Sequence, residues 1–433
     1  MPENARAVSQ GRIATLDILR GVAILGILYL NMLYMGNHGV EYEMTGDPRP
    51  FGWTSADQAY YLYFRSLMNG TQRGILELLF GASAIILTRQ VMSRDGPVEA
   101  ADIYFRRAFW LMIFGILHGT LLLWYGEIWT TYSIAALPLF LFRRLPARQL
   151  LLLGAGGVFL LSALELPGFL HGLALEQRVE LIESGGDGLA LTEAQAHDLA
   201  EWRDLNAGRA KGAAEYEGEL EARKGGYSEN LAFSSEVWRA FNNPLAHPEF
   251  ILEAFLTMLI GMAFFKWGIL QADRTAVFYV TMAVIGYGVG LTLRVVVTSW
   301  RMDHGFPPIS FSAVDQFFRL LITFGHVSLI CLALRSRLGR ILDWLFTAAG
   351  RMPMTCYLIQ TLIACWFLFP GFGLGLVGRF GWMELGIVAT AINAVLILFC
   401  NLWMRSFAMG PAEWLWRWFS YRRRSPFRRP AVA

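Results

Sequence analysis

The sequence predicts an all-α integral membrane protein, a bundle of about ten transmembrane helices with both termini cytoplasmic. Three observations predict it: an apolar composition, repeated apolar stretches of bilayer length, and basic residues at every second connection. Of 433 residues 55% are hydrophobic and 16% charged, with a mean hydropathy of +0.41, which excludes one ordinary soluble domain. A crossing takes about 20 apolar residues, and candidate spans lie at 16–36, 60–88, 103–124, 126–142, 148–168, 249–268, 275–299, 312–334, 346–369 and 383–404. Arg89, Arg94, Arg106 and Arg107 follow the second span, Arg143, Arg144 and Arg148 the fourth, Lys266 and Arg274 the sixth, and Arg335, Arg337 and Arg340 the eighth. Arg422, Arg423, Arg424, Arg428 and Arg429 close the chain. An even number of spans with cytoplasmic ends gives this alternation.

The first span opens at Arg12-Ile13-Ala14-Thr15-Leu16-Asp17-Ile18-Leu19-Arg20-Gly21 and is read as a retained helix, not a cleaved signal. Asp17 and Arg20, three apart, neutralise one another, and Asn31 falls on the same face about three turns further. In the second span Arg65, Asn69, Arg73 and Glu77 recur every four residues along one side. In the third, Arg107 and His118 share a face, and Glu127 follows at the outer turn. Between the fifth and sixth spans the region 173–247 is polar and acidic, with Glu215, Glu217, Glu219 and Glu221 in one helix-like run. The charge rule puts it outside, as a partly helical lid or as a solvated insertion without chemistry. The domain organisation is therefore 12–172, the extracytoplasmic 173–247, 248–410, and an interfacial tail 411–433 rich in Trp and Arg. In the eighth span Asp315, Arg319 and His326 share a face. Charge in lipid is costly, so several polar stripes predict one shared polar cavity rather than isolated structural ion pairs.

Imidazole exchanges protons near neutral pH, which makes His118 the candidate general base and Glu127 its orienter. The four cysteines, Cys331, Cys356, Cys365 and Cys400, all fall in spans as apolar fillers. With no HExxH, no Gly-x-Ser-x-Gly and no acidic metal cluster, the sequence offers no metal site and no serine triad. The net charge of +3 reports orientation and contact with membrane lipids, not nucleic acid.

Five elements carry a resemblance: the opening Leu16 to Leu28 with Asn31; Leu79-Phe80-Gly81-Ala82; His118-Gly119 with Gly126-Glu127-Ile128 and Tyr132; Gly350-Arg351-Met352-Pro353-Met354-Thr355-Cys356-Tyr357-Leu358-Ile359-Gln360; and Gly410-Pro411-Ala412-Glu413-Trp414. In this order they resemble the bacterial YeiB-type membrane proteins, a family of uncharacterised function, from residue 12 to about 421. That resemblance implies a multi-pass protein of the bacterial cytoplasmic (inner) membrane, distantly similar to the transmembrane acyltransferase superfamily. It further implies an acyl-CoA donor, no covalently bound cofactor, and a lipid-linked or sugar acceptor, with Gln360 among the site residues. The sequence leaves a homo-oligomer open. The chain departs from the pattern at Asn31, where acyltransferase-3 proteins carry a His, at Glu127 for Asp, at Cys356 for Asn, and at Glu77 for a small residue. A usual Lys ahead of the Phe-Gly element is replaced by Thr71 or Arg73.

Two functions follow as expectations. The first is a membrane-embedded acyl- or related group-transferase, with His118 and Glu127 catalytic and Asp17, Arg20, Asn31, Arg73, Glu77, Arg319, His326 and Gln360 binding donor or substrate. Its arginines Arg20, Arg73 and Arg319 anchor an anionic group. The alternative is a transporter of a small solute or ion through a polar intrahelical cavity. No Gly/Pro-interrupted pair of spans is evident in the sequence, which leans against transport.

Overall fold

The computed structural model describes residues 14–92, 96–185, 191–214 and 218–429. Arg12, Ile13, Arg94, Glu215, Glu217 and both chain termini lie outside the described residues. Within them the fold is helical throughout, apart from one isolated bridge between Phe407 and Arg428. In chain order the helices are α1 (Ala14–Gly36), α2 (Gly39–Thr45), α3 (Ser55–Tyr63), α4 (Thr71–Met92), α5 (Gly96–Gly119), α6 (Trp129–Phe142), α7 (Ala147–Ser184), α8 (Glu193–Ala214), α9 (Glu219–Lys224), α10 (Tyr227–Phe241), α11 (Pro248–Lys266), α12 (Ala276–Asp303), α13 (Ser312–Ala333), α14 (338–351), α15 (Pro353–Leu368), α16 (Trp382–Ser406) and α17 (Pro411–Tyr421).

Six of them, α1, α7, α11, α12, α13 and α16, are long and apolar enough to cross a membrane. Helices occupy the other expected intervals too, but α6 and α15 are short and α4 and α5 carry several charges. The chain connections gather at two ends. At one, called here the tail end, Lys266 Nζ donates to Arg143 O (2.8 Å) and Leu145 O (2.5 Å), and Arg335 donates to Ala272 O (2.7 Å). At the other, the insertion end, Arg301 reaches Gly46 O (3.2 Å) and Trp382 reaches Pro48 O (3.0 Å).

Glycines allow the closest helix approach, as expected where apolar burial cannot drive association. A Cβ on Gly81 of α4 would strike Met258 O of α11, and one on Gly261 of α11 would strike Leu78 O of α4. α4 thus sits at the centre of the bundle, with α1, α5, α6, α11 and α13 against it.

Two helices are broken in mid-course, contrary to the sequence reading. Between α3 and α4 the chain widens over Phe64–Met68 and turns at Asn69 and Gly70, the latter at φ +73°, a conformation that favours glycine. The carbonyls freed there need donors. Arg294 Nη1 serves Asn69 O (2.8 Å), Arg319 Nη1 serves Gly70 O (3.2 Å), and His326 Nε2 serves Leu67 O (3.1 Å). Between α14 and α15 Pro353 restarts the helix, and its free N–H groups at Met354 and Thr355 are taken by the Glu413 carboxylate of α17 (2.6 and 3.1 Å).

The expected boundary at residue 173 also moves. α7 runs unbroken for 38 residues, about 57 Å at 1.5 Å per residue, so one rod continues from the bundle into the insertion. α8 folds back along it, held by Arg178 to Asp198 (2.8 Å) and His171 to Glu201 (2.7 Å).

Candidate functional site

At the insertion end a cavity of about 210 Å³ opens between α1, α2, α4, α6 and the 120–128 turn, room for several waters or one small organic molecule. Its polar wall is Asn31, Glu43, Arg73, Glu77, Glu127 and Asn242; its apolar wall includes Tyr34, Trp124, Tyr125, Tyr132 and Phe250. Phe241 and Asn242, from the end of α10, roof it.

Asn31 is nine-tenths buried, and its amide lies beside the Tyr357 hydroxyl. Glu43 takes one hydrogen bond, from Tyr34 Oη (2.6 Å). Arg73 and Glu77 pair as the period of four predicts (3.3 Å), and the pair belongs to a larger cluster. Glu253 of α11 binds Arg73 (2.5 Å) and Arg319 (2.7 Å), and Arg319 also binds Glu77 (3.2 Å). Two guanidiniums and two carboxylates close a neutral square across α4, α11 and α13. Beside it, Asp315 takes a bidentate bond from Arg294 (3.0 and 3.0 Å) with Arg65 at 3.7 Å.

Several of the expected site residues lie away from this cavity. His118 is fully buried and forms no part of the cavity wall. Its ring packs against those of Trp129 (4.9 Å) and Tyr357 (4.7 Å), and Nε2 shares a hydrogen bond with Thr361 Oγ1 (2.8 Å). Nor does Glu127 orient it. That carboxylate accepts the N–H groups of Trp129 (2.6 Å) and Thr130 (3.1 Å) at the start of α6, and the indole of Trp238 (3.2 Å). His118 therefore does not reach this cavity, and its buried Nδ1 has no hydrogen-bond partner among the described residues. Arg319 and His326 both bond the broken helix, and His326 also bonds Tyr287 Oη (2.7 Å). Gln360 is buried against α1, donating to Ile24 O (3.1 Å). Asp17 and Arg20 do pair (2.9 Å), but at the tail end, where Arg20 also holds Gly350 O (3.1 Å). Of the expected site, the structure brings Asn31, Arg73, Glu77 and Glu127 to one cavity and places the rest elsewhere.

The sequence reading missed Glu43, Tyr34, Glu253 and Arg294. Glu253 and Arg294 each stand alone in an apolar stretch, and a lone charge there was a signal that its partner lay on another helix. Arg223 and Glu219 were missed as a clamp. Arg223 donates to Tyr34 O (3.0 Å), Met35 O and Asn37 O (2.6 Å), the free carbonyls ending α1, while Glu219 accepts from Val40 N (3.2 Å) and Arg223 (3.2 Å). Burial raises the Glu219 carboxyl above its usual range against the opposing pull of Arg223.

Two curated relatives match nearly end to end. An uncharacterised YxaH protein of Bacillus subtilis is 27% identical over 418 residues, 95% of this chain and 94% of its own. The uncharacterised YeiB protein of Escherichia coli is 28% identical over 430 residues, 96% of this chain and 98% of its own. Residues 264–423 match a family model described as a protein of unknown function, DUF418. Along nearly its whole length the chain is similar to these YeiB-type proteins. The family model spans α12 to α17, including both ion-paired Arg294 and Arg319 and the Glu413 cap, whereas the cavity residues lie upstream of it.

Proposed function

We propose that the chain is a ten-pass protein of the bacterial cytoplasmic membrane, termini inside and insertion outside, that transfers an acyl or related group to an acceptor held in the insertion-end cavity. The observation that carries this reading is Asn31 and Glu43 in one cavity: a buried amide donor, and a carboxylate with a single hydrogen bond. Asn31 Nδ2 donates to an acceptor oxygen, and Glu43 takes the proton from the attacking hydroxyl or amine and returns it to the leaving group. Aromatic walls and two carboxylates, Glu43 and Glu127, in ion-pair contact with no cation among the described residues favour a neutral or cationic acceptor such as a sugar. Arg20, Arg73 and Arg319 are each paired with carboxylates, which leaves none of them to anchor an anionic donor in this cavity. The test is transfer of radiolabelled acetyl from acetyl-CoA to membrane lipid or glycan fractions by the purified protein in proteoliposomes. Glu43→Gln should lower it by about 10² or more, the usual share of a general base. Label transfer that survives Glu43→Gln would refute the assignment.

The second reading, solute transport, is favoured by the breaks at Asn69-Gly70 and Met352-Pro353, since discontinuous helices build midplane sites in carriers. Accumulation of an unmodified labelled solute by proteoliposomes would decide for it.

A further inference from the structure

A second cavity, about 70 Å³, lies at the tail end of the same face of α4. Phe80, Ala84 and Leu87 of α4, Ala108 and Leu111 of α5 and Ala136 of α6 form its walls. Its hydroxyls are turned away into the backbone: Ser83 to Leu79 O (2.7 Å), Ser133 to Thr130 O (2.8 Å) and Tyr104 to Ala136 O (2.6 Å). The wall facing the space is therefore apolar. At its mouth stand Arg107 and Trp416, the latter on α17.

Arg107 differs from the arginines inside the bundle. Its guanidinium lies 4.1 Å from the Trp416 ring and donates to Tyr421 Oη (2.8 Å), but among the described residues no carboxylate pairs with it. Its neighbour Arg106 has Asp102 (3.0 Å). A half-buried guanidinium without an anion, set at the rim of an apolar slot, matches an amphiphile with an anionic head. The Trp-rich α17 across the mouth belongs to the kind of surface that sits at lipid headgroups.

We propose that this slot seats the first few methylenes of an anionic amphiphile whose phosphate or carboxylate pairs with Arg107, the rest of its chain lying outside the slot. The site does not depend on what the insertion-end cavity holds. Phe80 and Tyr132, with ring centroids 5.1 Å apart, separate the two spaces, Phe80 facing one and Tyr132 the other.

The test is thermal unfolding of the full-length protein with dodecyl phosphate, with dodecylphosphocholine, with inorganic phosphate, and in nanodiscs of phosphatidylglycerol against phosphatidylcholine. Dodecyl phosphate or phosphatidylglycerol should raise the midpoint where the zwitterionic counterparts and inorganic phosphate do not; protection by the lipid alone marks a membrane ligand, and by dodecyl phosphate alone a soluble one. Arg107→Gln should weaken the effect about 10-fold, the loss of one charge-assisted contact. Ala84→Leu, which fills the slot without touching Arg107, should abolish it. Equal protection by charged and zwitterionic chains, or protection retained in Ala84→Leu, would overturn the proposal.

Discussion

At the scale of residues, most of the charges inside this bundle are paired, some within one helix and some, such as Arg319 with Glu77 and Glu253, between helices. Arg319 faces Glu77 and Glu253 and also carries Gly70 O, so Arg319→Ala leaves two buried carboxylates sharing Arg73 alone and a helix-end carbonyl without its donor. We expect a loss of about 3–5 kcal/mol, the usual cost of removing one partner from a buried pair. Glu77→Gln with Arg319→Gln should cost less than the sum of the single changes, and additivity in a denaturation cycle would remove the square as a unit. His118→Phe keeps the packing against Trp129 and Tyr357 but leaves Thr361 Oγ1 unpaired, so it should lower stability by about 1–3 kcal/mol and leave ligand binding unchanged. Loss of binding in a folded His118→Phe protein would restore a functional role to the ring. The same-helix pairs Asp17 with Arg20 and Arg73 with Glu77 were legible in the sequence because i, i+3 and i, i+4 spacing is fixed by the helix. The cavity membership of Asn31 was legible for the same reason. Glu253 was not, because its partners are 180 and 66 residues away in sequence and only the packing of α4, α11 and α13 brings them together.

At the scale of elements, the two broken helices explain motifs whose purpose is obscure in one dimension. Gly350 packs against Asp17 O, and Gly410 sits where a side chain would strike Glu413 and Thr355. The opening, central and closing motifs therefore meet at the tail end and pack closely against one another there. Glu413→Ala should remove the cap from α15 and cost about 1–2 kcal/mol, measurable as a lower unfolding midpoint, while Glu413→Asp recovers part of it. At the other end, Arg223→Ala should loosen the insertion from α1, read as a longer spin-label distance between α10 and α5. Glu219→Gln should leave that distance unchanged. The folded Glu219 carboxyl lies above its unfolded value, so the docked state takes up the proton more readily. Docking is accordingly strongest below the unfolded value, about pH 4.3, and weakens as pH rises through the raised one. A spin-label distance that lengthens as the pH falls from 7 to 5 would contradict this sign.

At the scale of the whole molecule, composition and arginine spacing gave the class and the order of helices, but not the breaks or the length of α7. Hydropathy averages over a window, and a wide turn such as Phe64–Met68 or Leu362–Leu368 leaves the average unchanged while redirecting the side chains beyond it. Sidedness remains a matter of charge. The tail end gathers Arg143, Lys266, Arg274 and Arg335 around its connections, and α7 to α10 project from the opposite end. If the basic end is cytoplasmic, Gly185, just past Ser184, faces outward and Ser336, in an exposed tail-end turn, faces inward. The native cysteines are all buried and free, so the wild type supplies a silent background for thiol labelling. Gly185→Cys should react with an impermeant maleimide in intact spheroplasts, and Ser336→Cys only after permeabilisation. The opposite pattern would invert the bundle, turn the insertion-end cavity toward the cytoplasm, and remove an external acceptor from any reaction in which Asn31 and Glu43 take part.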